Sequence, residues 1–202
     1  MADSLTDPDP GPEANTSGSE PGRTFEWLAR FVHPDDDPRS GSDIVDERTV
    51  LIEFLRNQRL TFQLKCDGLD ADQLARRPVP PSTMSLLGLI RHLAEVERGW
   101  FRRTMAGQDA PKLYCSDDDP DGDFDGAVAD SEVVAEAWRA WRAEVDFAER
   151  FVETSDLGVQ GRQRKGNTIV LRELLVHMIE EYARHNGHAD LFRERIDGRV
   201  GQ

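Results

Sequence analysis

The chain has 202 residues, with 39 acidic side chains against 25 basic ones and two cysteines, which is one domain's length and enough to bury a core without disulfides or structural metal. A net charge of -14 argues against a nucleic-acid binder, which needs a concentrated basic face to neutralise phosphates. No apolar run reaches the roughly 18 to 20 residues of a membrane span, and Met1 to Gly22 lacks the basic start and apolar stretch of a signal peptide, so the expectation is a soluble, cytoplasmic protein whose Cys66 and Cys115 are reduced.

The acidity is uneven. Residues 1 to 47 hold 12 acids and 3 bases, and residues 116 to 126 hold 6 acids and no base. Together they account for the whole net charge, so the rest of the chain is nearly neutral. From Met1 to about Gly22 the sequence is mostly Pro, Asp, Gly, Ser and Glu, whose ordering would cost backbone entropy without burial in return. Residues 1–45 therefore read as a disordered acidic tail. It holds one short apolar cluster, Phe25, Trp27, Leu28, Phe31 and Val32, which either docks on the body or meets a partner; Pro34 to Pro38 stop any helix there.

From Asp46 onward four segments show helical spacing and none shows the alternation of a half-buried strand, so the fold class is all-α. The first runs from about Asp46 to Leu69 and carries Val50, Leu51, Phe54, Leu55, Phe62 and Leu64. A Pro-rich joint, Pro78 to Pro81, leads to Ser82 as the expected cap of a second helix over about Met84 to Met105. A loop from Gly107 to Asp130 is long enough to cross one end of a bundle, and its Asp-rich centre is expected to be solvated. The third helix starts at Ser131 and carries Val134, Ala137, Trp138, Trp141, Val145 and Phe151. Glycines at 158, 161 and 166 separate it from the fourth, which Thr168 is placed to cap and which runs from about Ile169 to Ile196. Four such helices, each with one apolar stripe, bury those stripes most simply as a four-helix bundle over residues 46–198.

Three of the five histidines lie in the last helix, at His177, His185 and His188, with Glu181 midway between the first two. At about 100° per residue, a step of four advances a side chain by roughly 40°, so these residues share one face beside the buried stripe. His92 stands alone in the second helix among Leu89, Leu93, Val96 and Trp100, with the small residues Ser85, Gly88 and Gly99 on its stripe. Glu181 and His185, four apart on one helix, with His92 offered by another, make a three-ligand set that leaves a coordination position open. Zn²⁺ suits these donors, and Ni²⁺ or Fe²⁺ accepts the same set. His177 and His188 are reserve ligands or hydrogen-bond partners of the ligands. The plain alternative is a solvated helix edge whose charges pair with Arg184, Arg193 and Arg195. A di-iron carboxylate site is disfavoured, because no glutamate here has a histidine three residues after it.

Three separated motifs carry a resemblance. They are Asp46-Glu47-Arg48-Thr49 with Phe54-Leu55, Gln58-Arg59, Lys65 and Gly68-Leu69; Ser85 through Glu97; and His177 through Asp190. Together they resemble the DinB-like superfamily, and within it the actinobacterial mini-circle-protein branch, over about residues 46 to 198. The resemblance implies a four-helix bundle whose metal is held by one histidine of the second helix and two residues four apart on the last, here His92, Glu181 and His185. Many relatives have histidine in place of Glu181 and Arg-Gly-Gln in place of Asn186-Gly187-His188. The glutamate version is similar to the metal set of mycothiol-dependent maleylpyruvate isomerase, in which the metal assists a low-molecular-weight thiol. A homodimer is also compatible with the family.

Two enzyme readings follow. In the first, a thiol such as mycothiol meets the open metal position and attacks a small-molecule substrate, as in a transferase or isomerase; Tyr182, Trp100 and Arg91 are placed to line the pocket, the last two as cofactor contacts. In the second, water takes that position in a hydrolase, with Glu95 or His188 as proton carrier. A third reading is a non-catalytic bundle whose acidic segments make protein contacts.

Overall fold

A computed structural model describes residues 31–39, 46–163 and 166–201. The architecture is the expected all-α four-helix bundle, supplemented by a small hairpin. Helix α1 spans Glu47–Cys66, the short α2 Ala71–Ala75, α3 Leu86–Glu97, the short α4 Gly122–Asp125, α5 Ser131–Thr154 and α6 Leu171–Asp197. Helix α3 continues without a break into a π-helix over Arg98–Met105. The main packing pairs are α1 with α6 and α3 with α5, while α4 lies on α3. Among the described residues no helix is long and apolar enough to cross a membrane.

Local chemistry sets the helix starts. Asp46 accepts from the Thr49 N–H at 3.0 Å, and Asp130 from the Glu132 N–H at 2.7 Å, each satisfying a donor that the first helical turn leaves unpaired. The start of α3 is displaced from the expected position. Ser85, not Ser82, is its cap, accepting from the Gly88 N–H at 3.0 Å. Thr168 does not cap the last helix, because it lies in strand β2, Thr168–Val170, paired antiparallel with β1, Gln160–Arg162. The hairpin leads directly into α6, whose first N–H groups find backbone partners instead: Leu171 donates to the Val159 carbonyl at 2.9 Å and Arg172 to that of Leu157 at 3.0 Å. Gly161 lets the hairpin seat on the π-helix, since a Cβ there would stand 2.6 Å from Met105 Sδ.

The core is apolar around one polar knot. Leu86, Leu87, Leu89, Ile90 and Leu93 are all inaccessible to solvent, so α3 is covered on more than one face, each such side chain contributing about 1.5–3 kcal/mol relative to exposure. Phe54, expected in the α1 stripe, is half exposed. At the centre one residue from each bundle helix meets. Arg59 of α1 clamps Glu97 of α3 through two 2.8 Å bonds, Tyr182 of α6 donates to Glu97 at 2.8 Å, and Trp141 of α5 donates to the Tyr182 hydroxyl at 2.9 Å. Every partner is matched, which the cost of an unpaired buried charge requires.

Of the N-terminal apolar cluster, Phe25, Trp27 and Leu28 lie outside the described residues. Phe31 docks on the body, buried beneath three cations: Lys65 Nζ, Arg199 Cζ and Arg193 Cζ stand 4.2, 4.0 and 5.1 Å from its ring centre.

Candidate metal centre

Helix α6 holds Glu181 and His185 one turn apart, and α3 brings His92 against them. Both imidazoles present Nε2 to the same carboxylate oxygen, Glu181 Oε1, at 3.3 Å from His92 and 3.2 Å from His185. The three ligand atoms all lie within 4.8 Å of one another, and the two imidazole rings meet edge to face at 4.9 Å. The row is therefore no solvated edge. Arg184 stands 3.8 Å from Glu181 and is largely exposed, while Arg193 turns away to Asp197 and to the carbonyls of Lys65 and Asp67.

The second nitrogen of each histidine is also engaged. His92 Nδ1 lies 2.8 Å from Asp123 Oδ2, and His185 Nδ1 lies 3.3 Å from His188 Nδ1. With Nδ1–H donated to Asp123, the His92 Nε2 lone pair points at a carboxylate, which is repulsive unless positive charge sits between them. A proton answers that need in the bare protein: burial alone would lower the His92 pKa, but the bonds to Asp123 and Glu181 outweigh it and raise it to about 9. The contacts from His185 and His92 in turn hold the Glu181 carboxyl well below the usual carboxylate range. A divalent cation could answer the same need, since the three donors lie close enough to share one. Two carboxylates around one pair of imidazoles, ring nitrogens aimed inward and a carboxylate fixing the outer nitrogen, are the donor chemistry of a histidine–carboxylate metal site.

Asp123 was not legible as a site residue. It belongs to the Asp-rich loop, whose Asp117, Asp118, Asp119, Asp121 and Asp125 are exposed as expected, but Asp123 itself is buried. The clue available was the apolar Phe124 beside it, which stacks on the His92 ring at 5.3 Å.

The other expected site residues separate into two groups. Trp100 and Glu95 line a cavity of about 480 Å³ that also touches His92, Asp123, Arg103 and Phe124. Trp100 meets His177 edge to face at 5.0 Å, so His177 sides with the cavity rim and not with the three donors. Both Glu95 oxygens are committed, one to Arg103 at 3.0 Å and the other to the N–H groups of Leu113 and Tyr114 at 2.6 and 3.1 Å. His188 packs on His185, and burial followed by the charges of His185 and Arg184 lowers its pKa. Tyr182 and Arg91 do not line the cavity. Tyr182 is the core knot already described, because its partner Glu97 draws the hydroxyl inward. Arg91 is buried and donates to the carbonyls of Asp123 and Gly122 at 2.8 and 2.9 Å. A slightly larger cleft of about 530 Å³ between α1 and α5 contains none of the converging donors.

Neither cysteine is poised as a nucleophile. Burial pushes the Cys66 thiol far up, and burial together with the Asp123 carboxylate raises Cys115, which lines the cavity.

A family model described as mycothiol-S-transferase matches residues 50–198, from the first turn of α1 to the residue that closes α6. It agrees with the kinship that the three motifs carry. Among curated proteins, no match to the chain is found.

Proposed function

The chain belongs to the mycothiol-S-transferase family, and from that premise we propose that it is a metal-dependent enzyme that joins a small-molecule electrophile to the thiol of mycothiol. The observation that carries this reading is the convergence of His92, Glu181 and His185 within 4.8 Å. These three residues would hold the cation, with Zn²⁺ the best match to two imidazoles and one carboxylate and Ni²⁺ or Fe²⁺ acceptable. A cation held there lowers the pKa of a thiol that reaches it, so that the nucleophilic thiolate is available at neutral pH.

The chain's own residues supply the rest. Asp123 and His188 hold the outer nitrogens of His92 and His185, which keeps both Nε2 atoms aimed inward, where a cation would take the place of the proton on His92. Phe124 packs on the His92 ring and shields it from water. The cavity beside His92, walled by Trp100, Val96 and Phe124 with Arg103 and Lys112 at its edge, receives the electrophile. In a substitution, the sulfur–carbon bond forms as the carbon–leaving-group bond breaks, the leaving group takes that electron pair, and the thiol proton passes to solvent. The shifted thiols of Cys66 and Cys115 leave the nucleophile to the cofactor. The hydrolase reading needs a spare proton carrier, and its two candidates, Glu95 and His188, are both tied to other groups.

Two measurements test the proposal. Elemental analysis of the purified protein should find a divalent metal that a His92→Ala/His185→Ala variant lacks. The metal-loaded protein, mixed with mycothiol and an activated aryl chloride, should then yield the thioether by mass spectrometry. Equal metal in both proteins removes the site, and metal binding without thioether or thiol binding removes the transfer.

A further inference from the structure

The face of α3 that carries His92 also carries the grip on the loop between the π-helix and α5. Gly88, Arg91, His92 and Glu95 follow the spacing that puts residues on one side of a helix, and each holds part of that loop. Arg91 takes the carbonyls of Gly122 and Asp123, and its guanidinium lies 4.0 Å over the Tyr114 ring. Glu95 takes the N–H groups of Leu113 and Tyr114. Gly88 is the notch that admits Phe124, because a Cβ there would stand 2.6 Å from Phe124 Cδ1. His92 takes the Asp123 carboxylate and the Phe124 ring. Two glycines let the backbone come this close: a Cβ on Gly126 would stand 2.5 Å from Arg91 Nη2, and one on Gly122 2.4 Å from the Tyr114 carbonyl.

We propose that Asp123 is a positioning residue for the metal centre, and that cation binding and docking of the 107–130 loop are thermodynamically coupled through its bond to His92. The inference rests on the metal reading above and goes beyond it by making the loop part of the site. The coupling has a direct physical cause. A carboxylate on Nδ1–H makes Nε2 a better donor to a cation, and a cation on Nε2 makes Nδ1–H a better donor to the carboxylate. Whatever factor the docked loop adds to cation affinity, the cation must therefore add to loop docking.

The test is a Co²⁺ titration of the full chain, followed by visible absorption, together with hydrogen exchange of the 107–130 segment. Asp123→Ala should weaken Co²⁺ binding about 10–100-fold. Asp123→Asn keeps an acceptor for Nδ1–H and should recover part of that loss, which a merely structural role would not require. In the wild type, saturating Co²⁺ should slow exchange in the segment by a similar factor, and in Asp123→Ala it should leave the segment unchanged. If the wild type binds Co²⁺, His92→Ala/His185→Ala does not, and Asp123→Ala matches the wild type, the coupling is wrong while the metal site stands. Metal-insensitive exchange in the wild type is equally fatal to it. If the wild type binds no Co²⁺, both readings fall.

Discussion

Replacing Glu181 by glutamine preserves the side chain's shape and deletes the charge on which both imidazoles converge. In the metal-free protein Glu181 Oε1 is contacted at 3.2 and 3.3 Å. A hydrogen bond to a charged group contributes about 1.5–3 kcal/mol; because both contacts fall on one oxygen and are long, we take the pair as equivalent to one such bond, about 2 kcal/mol. A ligand at a hundredfold its Kd stabilises the folded state by about 2.7 kcal/mol. For a chain of this length each kcal/mol moves the thermal midpoint by about 2–4 °C. Zinc at that excess should thus raise the wild-type midpoint by about 5–11 °C, while Glu181→Gln should begin about 4–8 °C lower in chelator and rise far less at the same zinc concentration. Differential scanning calorimetry in chelator and in zinc reads both quantities. An equal zinc-dependent rise in the two proteins would refute Glu181 as a ligand, whatever its effect on the metal-free form.

Arg59→Met strips the fully buried Glu97 of two bonds and leaves it Tyr182 alone, so urea denaturation should show a loss of about 3–5 kcal/mol, largely restored when Glu97→Leu is added; a double variant as unstable as the single one would contradict this. Gly88→Val drives a side chain into the Phe124 ring, so it should cost about 1–3 kcal/mol by overpacking and weaken metal retention against a chelator. Unchanged stability and retention would mean that the ring gives way freely. Burial alone would raise the Asp197 carboxyl, but the bonds from Arg193 and from the Arg199 N–H hold it below its ordinary value. Its contribution is therefore present above an unfolded pKa of about 3.9 and lost as pH falls through the lower folded value. Asp197→Asn should flatten the acid limb of urea midpoint against pH, and an unaltered limb would count against that role.

What could be read from the chain follows the range of each interaction. Glu181 and His185 were legible because a step of four residues becomes a shared direction within one helix. That His92 meets them depends on how α3 packs in the bundle, which no spacing encodes; the donor types suggested the set, and the resemblance implied the same three residues. Tyr182 shows the same gap from the other side. Its helical phase suits a pocket wall and a core position equally, and Glu97, the partner that decides between them, lies on another helix. The hairpin escaped notice because strands of three residues are too short to alternate visibly.

The loop is the instructive miss. A run of acids reads as solvated, and five of its aspartates are exposed, yet a carboxylate is buried at small cost when an imidazole waits for it. The sequence held a sign that something had to cover α3. Leu86, Leu87, Leu89, Ile90 and Leu93 cannot all face one neighbour at 100° per residue, so a single bundle contact leaves some of them in water. The segment after the π-helix contains two aromatic side chains, Tyr114 and Phe124, in a stretch rich in aspartate, and these seat on α3. A helix apolar on two faces calls for a second layer, and the acid next to the aromatic that fills the Gly88 notch is the one carried to His92.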